Sequence, residues 1–172
     1  MLKLNTPAPD FNKQPAYHAG EFKEISLSEM KGKWVILFFY PRDFTFVCPT
    51  ELTGFAKRSK ELEDLNVLFM AASTDSVYSH KAWFEGELSE VKYPVLADTS
   101  HNLTNSYEIL NDEGTAERGT FIIDPEGNLR FYLVSDSNVG RSVDETIRVI
   151  KALQSGGLCA IDWKPGDSNL AV

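Results

Sequence analysis

Residues 34–40, Trp-Val-Ile-Leu-Phe-Phe-Tyr, form the most apolar stretch of the chain, with no charged or amide side chain among them. A strand wet on one face alternates polar and apolar residues, so a continuous β-favouring run belongs to a strand covered on both faces. Pro41 stops it, because proline has no N–H to offer a ladder. From Thr50 the positions Leu52, Phe55, Ser59, Leu62 and Leu65 step by three or four, which predicts a helix over residues 50–65. Residues 66–72, Asn-Val-Leu-Phe-Met-Ala-Ala, read as a second buried strand. A helix between two such strands implies a parallel pair joined by a right-handed crossover.

The remaining elements follow from the same signals. Helices are predicted over 76–88, carrying Trp83 and Phe84, and over 100–109, with a short strand over 93–98 entered through Pro94. The turn Pro125-Glu126-Gly127-Asn128 joins β-rich residues 121–124 and 129–134 into a hairpin. Ser142 and Glu145 have capping-box spacing and open a helix with Val143, Ile147, Ile150 and Leu153 on one face, ended by Gly156-Gly157. Residues 1–33 are turn-rich, with one alternating piece, 21–25, read as part of an edge hairpin. This order is that of an α/β, thioredoxin-like fold: a central mixed sheet flanked by helices on both faces, with an N-terminal hairpin extension. At 172 residues the expectation is a single domain over 1–172, with 159–172 a C-terminal tail too polar to hold its own core.

Composition narrows the function. Seventeen Lys and Arg against 25 Asp and Glu give a net charge of −8, which disfavours nucleic acid and anionic membranes as partners. No apolar run approaches a membrane span, and the amino-terminal residues lack the apolar core of a signal peptide, so a soluble cytoplasmic protein is expected. In a reducing compartment two cysteines in a well-cored chain are more often catalytic than a scaffold. His18, His80 and His101 are scattered without zinc spacing, and no phosphate-binding glycine motif or serine-hydrolase elbow is present. Neither metal nor organic cofactor is expected.

The chemistry centres on Cys48. It falls where the strand–loop–helix connection starts a helix, and unpaired N–H groups and the macrodipole favour an anion there. A thiol so placed is more often the nucleophilic thiolate, although on position alone a buried, inert cysteine is an equal reading. Thr45 stands three residues earlier, with a hydroxyl in reach of the sulfur or of an oxygen beside it. Pro49 suits a first helical turn.

Pro41, Thr45 and Cys48, within Phe44-Thr45-Phe46-Val47-Cys48-Pro49-Thr50-Glu51, resemble the active-site loop of the peroxiredoxins. Residues 118–127, Arg-Gly-Thr-Phe-Ile-Ile-Asp-Pro-Glu-Gly, resemble a second signature of that family, and the late Cys159 a third. Likeness is greatest to the typical 2-Cys group that includes the peroxidase component of alkyl hydroperoxide reductase. The resemblance implies a thiol peroxidase without cofactor, reducing hydrogen peroxide and organic hydroperoxides. In it Cys48 is the peroxidatic nucleophile and becomes a sulfenic acid. Arg118 orients the peroxide and favours the thiolate, Thr45 hydrogen-bonds sulfur and peroxide, Pro41 shields the pocket, and Glu51 orients Arg118. Cys159 is implied to be the resolving cysteine, pairing with Cys48 of a partner subunit after the turn around Cys48 unwinds. Implied partners are a dithiol or flavoprotein disulfide reductase and a second copy of the chain, in a homodimer assembling to a decamer.

The chain lacks the Gly-Gly-Leu-Gly insertion and terminal Tyr-Phe helix of the overoxidation-sensitive branch, which implies a robust enzyme. Two other readings compete. A thioredoxin-type oxidoreductase needs a C-x-x-C pair, which Glu51 precludes; a non-enzymatic holdase on the same fold predicts that Cys48 is dispensable.

Overall fold

The computed structural model describes residues 1–171, which divide into two units, Met1–Arg141 and a second beginning at Ser142. In the first, eight strands make one mixed sheet: β1 (Thr6–Pro7), β2 (Gln14–His18), β3 (Glu21–Ile25), β4 (Trp34–Phe39), β5 (Val67–Ser73), β6 (Val95–Ala97), β7 (Arg118–Ile123) and β8 (Asn128–Ser135). Their order is β1-β8-β7-β4-β5-β6-β2-β3. The apolar run supplies β4 at the centre, parallel to β5 and antiparallel to β7. The alternating piece at 21–25 is β3, hairpinned to β2 at the edge.

Both faces of β4 are covered, which is why its sequence does not alternate. Val35, Leu37 and Phe39 join Met70, Ala72, Phe121 and Ile123 in a core closed by Ala8, Phe11 and Leu27 and by Leu103, Tyr107 and Ile109. On the other face the Phe38 ring lies 4.8 Å from that of Phe55, which stacks on Phe69 at 4.4 Å. Phe55 belongs to α1 (Val47–Ala56), and so the crossover helix is laid against the middle of the sheet, where it carries Cys48.

The helix expected over 50–65 differs in two ways. It begins earlier, at Val47, and it breaks, continuing as α2 (Ser59–Asp64). At the break the Ser59 hydroxyl donates to the Phe55 carbonyl (3.4 Å), a local side-chain bond that bends helices. The bend keeps Phe55 and Leu62 both buried. Next come α3 (Val77–Glu85), capped by the Ser76 hydroxyl accepting from the Ser79 N–H, and α4 (Asn102–Ser106).

The second unit holds α5 (Val143–Ser155). The Ser142 hydroxyl accepts from the Glu145 N–H (3.1 Å), and Gly156, at φ 69°, ends the helix in the left-handed conformation that glycine adopts freely. The Glu145 carboxylate turns to Arg148 (2.6 and 2.7 Å) instead of completing the capping box. Beyond it, Leu158 and Leu170 form an isolated antiparallel bridge. Val172, last residue of the expected tail, lies outside the described residues.

Three tyrosines make an alkaline limit. The hydroxyls of Tyr40, Tyr93 and Tyr107 donate to Asp43 Oδ1 (2.6 Å), the Leu52 carbonyl (2.7 Å) and the Pro9 carbonyl (2.9 Å). Burial raises all three above the ordinary value of 10.0, with the charges of Asp43, Glu51 and Asp10 adding to it. The unfolded chain therefore loses these protons first as pH rises, so the stabilisation is intact below about pH 10 and drains away above it. Each tyrosine removes up to about 1.4 kcal/mol per pH unit in that range. Denaturant unfolding from about pH 9 to 11 should show stability falling only above the ordinary tyrosine value.

Candidate active site

Cys48 is the second residue of α1, preceded by Val47 and the cap position Phe46, and it is fully buried. Its sulfur therefore lies in the first turn, where the helix presents unpaired N–H groups. One turn further on, at Glu51, a carboxylate comes to the same side of the helix.

Arg118 begins β7 and is buried. Its Nη1 stands 3.4 Å from Cys48 Sγ and donates to Glu51 Oε2 at 2.8 Å, while its Nε donates to the Ser137 carbonyl at 2.8 Å. A second arginine, Arg141, grips the other side of the carboxylate. Its backbone N–H and Nε donate to Glu51 Oε1 (2.7 and 2.9 Å), and its Nη2 donates to Oε2 (3.0 Å). Arg141 Nη1 also donates to the Gly119 carbonyl (2.8 Å) and Thr120 Oγ1 (3.2 Å), and its guanidinium lies 3.4 Å from the Phe38 ring centre. A cation over an aromatic face away from water is stabilised by the ring quadrupole.

The charges of this cluster do not cancel. Two guanidiniums and one carboxylate, each with side-chain exposure of 2–4%, leave one positive charge in excess. Buried charge without a partner is costly. An anion set against Arg118 Nη1, which stands 3.4 Å from Cys48 Sγ, would balance the cluster. Burial pushes the Arg141 guanidinium below its ordinary range, against the hydrogen bonds and charge of Glu51 that hold it up.

The loop ahead of Cys48 is tied down on one side. Asp43 accepts from Tyr40 Oη (2.6 Å) and Ser79 Oγ (2.8 Å) and meets His80 Nδ1 at 2.8 Å, while the Asp43 N–H donates to Asp75 Oδ2 (2.9 Å). Phe44, next in line, sits at φ 56°. For a bulky non-glycine residue that left-handed conformation costs roughly 1–2 kcal/mol. Its ring leans on Trp83 with centres 5.6 Å apart, and both Phe44 and Phe46 are exposed.

Comparison with other proteins gives the family. The model of the AhpC/TSA family matches residues 4–132. The chain belongs to this family, the peroxiredoxins. It is 50% identical over 177 residues to peroxiredoxin prdx-2 of Caenorhabditis elegans, covering 97% of this chain and 88% of that one. It is 46% identical over 178 residues to the thioredoxin peroxidase of Trypanosoma brucei rhodesiense, covering 98% and 89%. The crystal structure of the reduced 2-Cys peroxiredoxin of Plasmodium vivax superposes with a TM-score of 0.94 at 32% identity, covering 98% and 93%. As a peroxiredoxin the protein is an oxidoreductase, a thiol peroxidase, on a thioredoxin-like fold.

Of the residues singled out in the sequence of this peroxiredoxin, Cys48, Glu51 and Arg118 come together within hydrogen-bonding range. Thr45 departs from expectation. Its hydroxyl donates to the Arg42 carbonyl (2.9 Å), closing the loop on itself instead of reaching the sulfur. Loop hydroxyls commonly satisfy backbone in this way. Pro41 lies half-buried two residues beyond the end of β4, at the start of the same loop. Cys159 is a free thiol of the second unit. Arg141 carries no signal in the sequence, because its partner Glu51 is 90 residues away and nothing local to Gly140-Arg141-Ser142 marks it. Among the described residues no group of three metal-binding side chains is assembled, and no helix is long and apolar enough to cross a membrane.

Proposed function

We propose that this peroxiredoxin reduces hydrogen peroxide and organic hydroperoxides through Cys48, and that Cys159 of a partner subunit resolves the product. The observation that carries the reading is the 3.4 Å contact of Arg118 Nη1 with Cys48 Sγ inside a buried cluster one positive charge in excess. The thiolate attacks one peroxide oxygen, the O–O bond breaks, and the other oxygen leaves as alkoxide or hydroxide and takes a proton. Sulfur becomes a sulfenic acid. Negative charge spreads over sulfur and both oxygens in the transition state, and a guanidinium fixed by Glu51 needs no reorganisation to meet it. In this scheme Thr45 offers its hydroxyl to a peroxide oxygen, once it gives up the Arg42 carbonyl.

A fully buried sulfur meets the sulfur of a second subunit only once the first turn of α1 opens. The left-handed Phe44 favours that opening, since unwinding releases its strain. Pairing with a second copy is supported by the β8 edge. β1 covers only Asn128 and Leu129, and beyond them Tyr132, Leu133 and Val134 are exposed at 39–46% on an outer strand. An unpaired apolar edge of this kind invites another strand. Exposed Phe44, Phe46 and Tyr78 offer a second face for higher assembly, as in a decamer of five such dimers. The reductant is a dithiol protein of thioredoxin type or a flavoprotein disulfide reductase.

Peroxide titration followed by non-reducing gels tests the scheme. Wild type should give a linked dimer as its main product, whereas Cys48→Ser and Cys159→Ser should not. A linked dimer from Cys48→Ser alone would refute it.

A further inference from the structure

His80 is buried in α3, and so is the carboxylate it meets, that of Asp43 in the loop leading from β4 to Cys48. Both nitrogens of its ring face acceptors. Nδ1 stands 2.8 Å from Asp43 Oδ2, and Nε2 stands 3.2 Å from the Leu96 carbonyl in β6. A carbonyl oxygen only accepts, and so does an ionised carboxylate. The other polar atom near Nδ1, Tyr40 Oη at 3.4 Å, gives its hydrogen to Asp43 Oδ1 at 2.6 Å and has none left for the ring.

A neutral imidazole has one N–H. Placed on Nε2, it leaves the bare Nδ1 against a carboxylate that already accepts from Tyr40 and from Ser79 Oγ (2.8 Å). Placed on Nδ1, it leaves Nε2 lone pair to lone pair with the Leu96 carbonyl. Either arrangement buries an unsatisfied contact, which folded proteins avoid. A ring with hydrogen on both nitrogens satisfies both contacts, and its positive charge has Asp43 as a partner.

We infer that His80 is a buried imidazolium paired with Asp43, and that it is a positioning residue for the loop that delivers Cys48 to the start of α1. The kinetic part of this rests on the reading of Cys48 as the peroxidatic nucleophile. Asp43 is where that loop is fastened. Its N–H donates to Asp75 Oδ2 (2.9 Å), which also accepts from Ser73 Oγ (2.7 Å) at the end of β5. The next residue, Phe44, is held at φ 56°, and Thr45 turns back to the Arg42 carbonyl (2.9 Å). A hydrogen bond between charged groups is roughly twice as strong as a neutral one. The pair therefore holds Asp43 against the strain stored in the residue beside it, and α3 and β6 fix the ring from the other side.

Neutron diffraction from crystals of the deuterated protein near neutral pH reads the ring directly. Wild type should carry deuterium on both Nδ1 and Nε2 of His80. Asp43→Asn supplies its own N–H to Nδ1, so there the ring should carry deuterium on Nε2 alone. A merely structural contact gives the ring no reason to change with residue 43, and a single deuterium in wild type overturns the imidazolium. The kinetic arm follows oxidation of Cys48 after one peroxide pulse, by alkylation and mass spectrometry. His80→Leu strands the Asp43 carboxylate and should slow oxidation about tenfold, the lower part of the cost of an unpaired buried group. Adding Asp43→Asn to it removes the stranded charge and should recover most of the loss. An unchanged rate in His80→Leu, or no recovery in the double variant, overturns the positioning role. If His80→Leu fails to fold, Asp43→Asn alone decides, with an expected slowing of about threefold, the difference between a charge-assisted and a neutral hydrogen bond. An unchanged rate there counts equally against it. If peroxide leaves wild-type Cys48 unoxidised, the peroxidase scheme falls and the diffraction arm still decides the ion pair.

Discussion

Cys48→Ser is expected to abolish peroxide turnover, a loss on the order of 10⁴-fold or more when the nucleophile of an active-site unit is removed. Serine has nearly the same shape, so the helix start and the arginine cluster should survive. What disappears is an easily ionised, polarisable atom. A hydroxyl is not an anion at neutral pH, and the excess positive charge of the Arg118–Glu51–Arg141 cluster is too small to make it one. Peroxide consumption in the presence of a dithiol reductant, with circular dichroism to confirm folding, is the measurement. Turnover within tenfold of wild type would move the chemistry off Cys48.

Glu51→Ala should produce the largest loss of stability. It leaves Arg118 and Arg141 buried side by side, with the hydrogen bonds that Glu51 accepts from both removed at once. Breaking a buried ion pair by deleting one partner costs about 3–5 kcal/mol. Domains are stable by only about 5–15 kcal/mol, so this takes a large share. Glu51→Gln keeps the shape and one acceptor oxygen, and should cost less, because only the charge and one set of lone pairs are lost. Denaturant midpoints of the two variants separate these contributions. If Glu51→Ala unfolds within about 0.5 kcal/mol of wild type, the range of an ordinary surface substitution, the cluster contributes nothing to folding.

Glu51 also shows why the two properties are hard to separate. Its carboxylate aligns Arg118 on the sulfur and at the same time neutralises one of two buried cations. Any variant that disturbs it is expected to lose rate and stability together, whereas Cys48→Ser keeps the hydrogen bonds of Glu51 to both arginines.

Local chemistry makes much of this protein readable from its residues alone. The unalternating residues 34–40 require cover on both faces, and β4 lies at the centre of the sheet because nothing else satisfies that run. The strand ends just ahead of Pro41 and Cys48 falls in the first turn of the helix for reasons confined to a few neighbouring residues. Gly156 stops α5 because a left-handed residue is needed at its end. Arg118 and its pairing with Glu51 are legible through a motif, with the burial of both left open.

Other features depend on residues far apart in the chain. The helix break at Lys57 and Arg58 follows from seating Phe55 and Leu62 in one core, and periodicity runs through it unaltered. Thr45 spends its hydroxyl on the Arg42 carbonyl because of how the loop is folded, which spacing does not encode. Arg141 meets Glu51 only when β7, α1 and the segment after β8 converge. Spacing and propensity act over a few residues and settle which elements form and where the thiol stands. Charge balance in a buried site is a sum over distant segments, so the excess positive charge facing Cys48 exists only in the folded molecule.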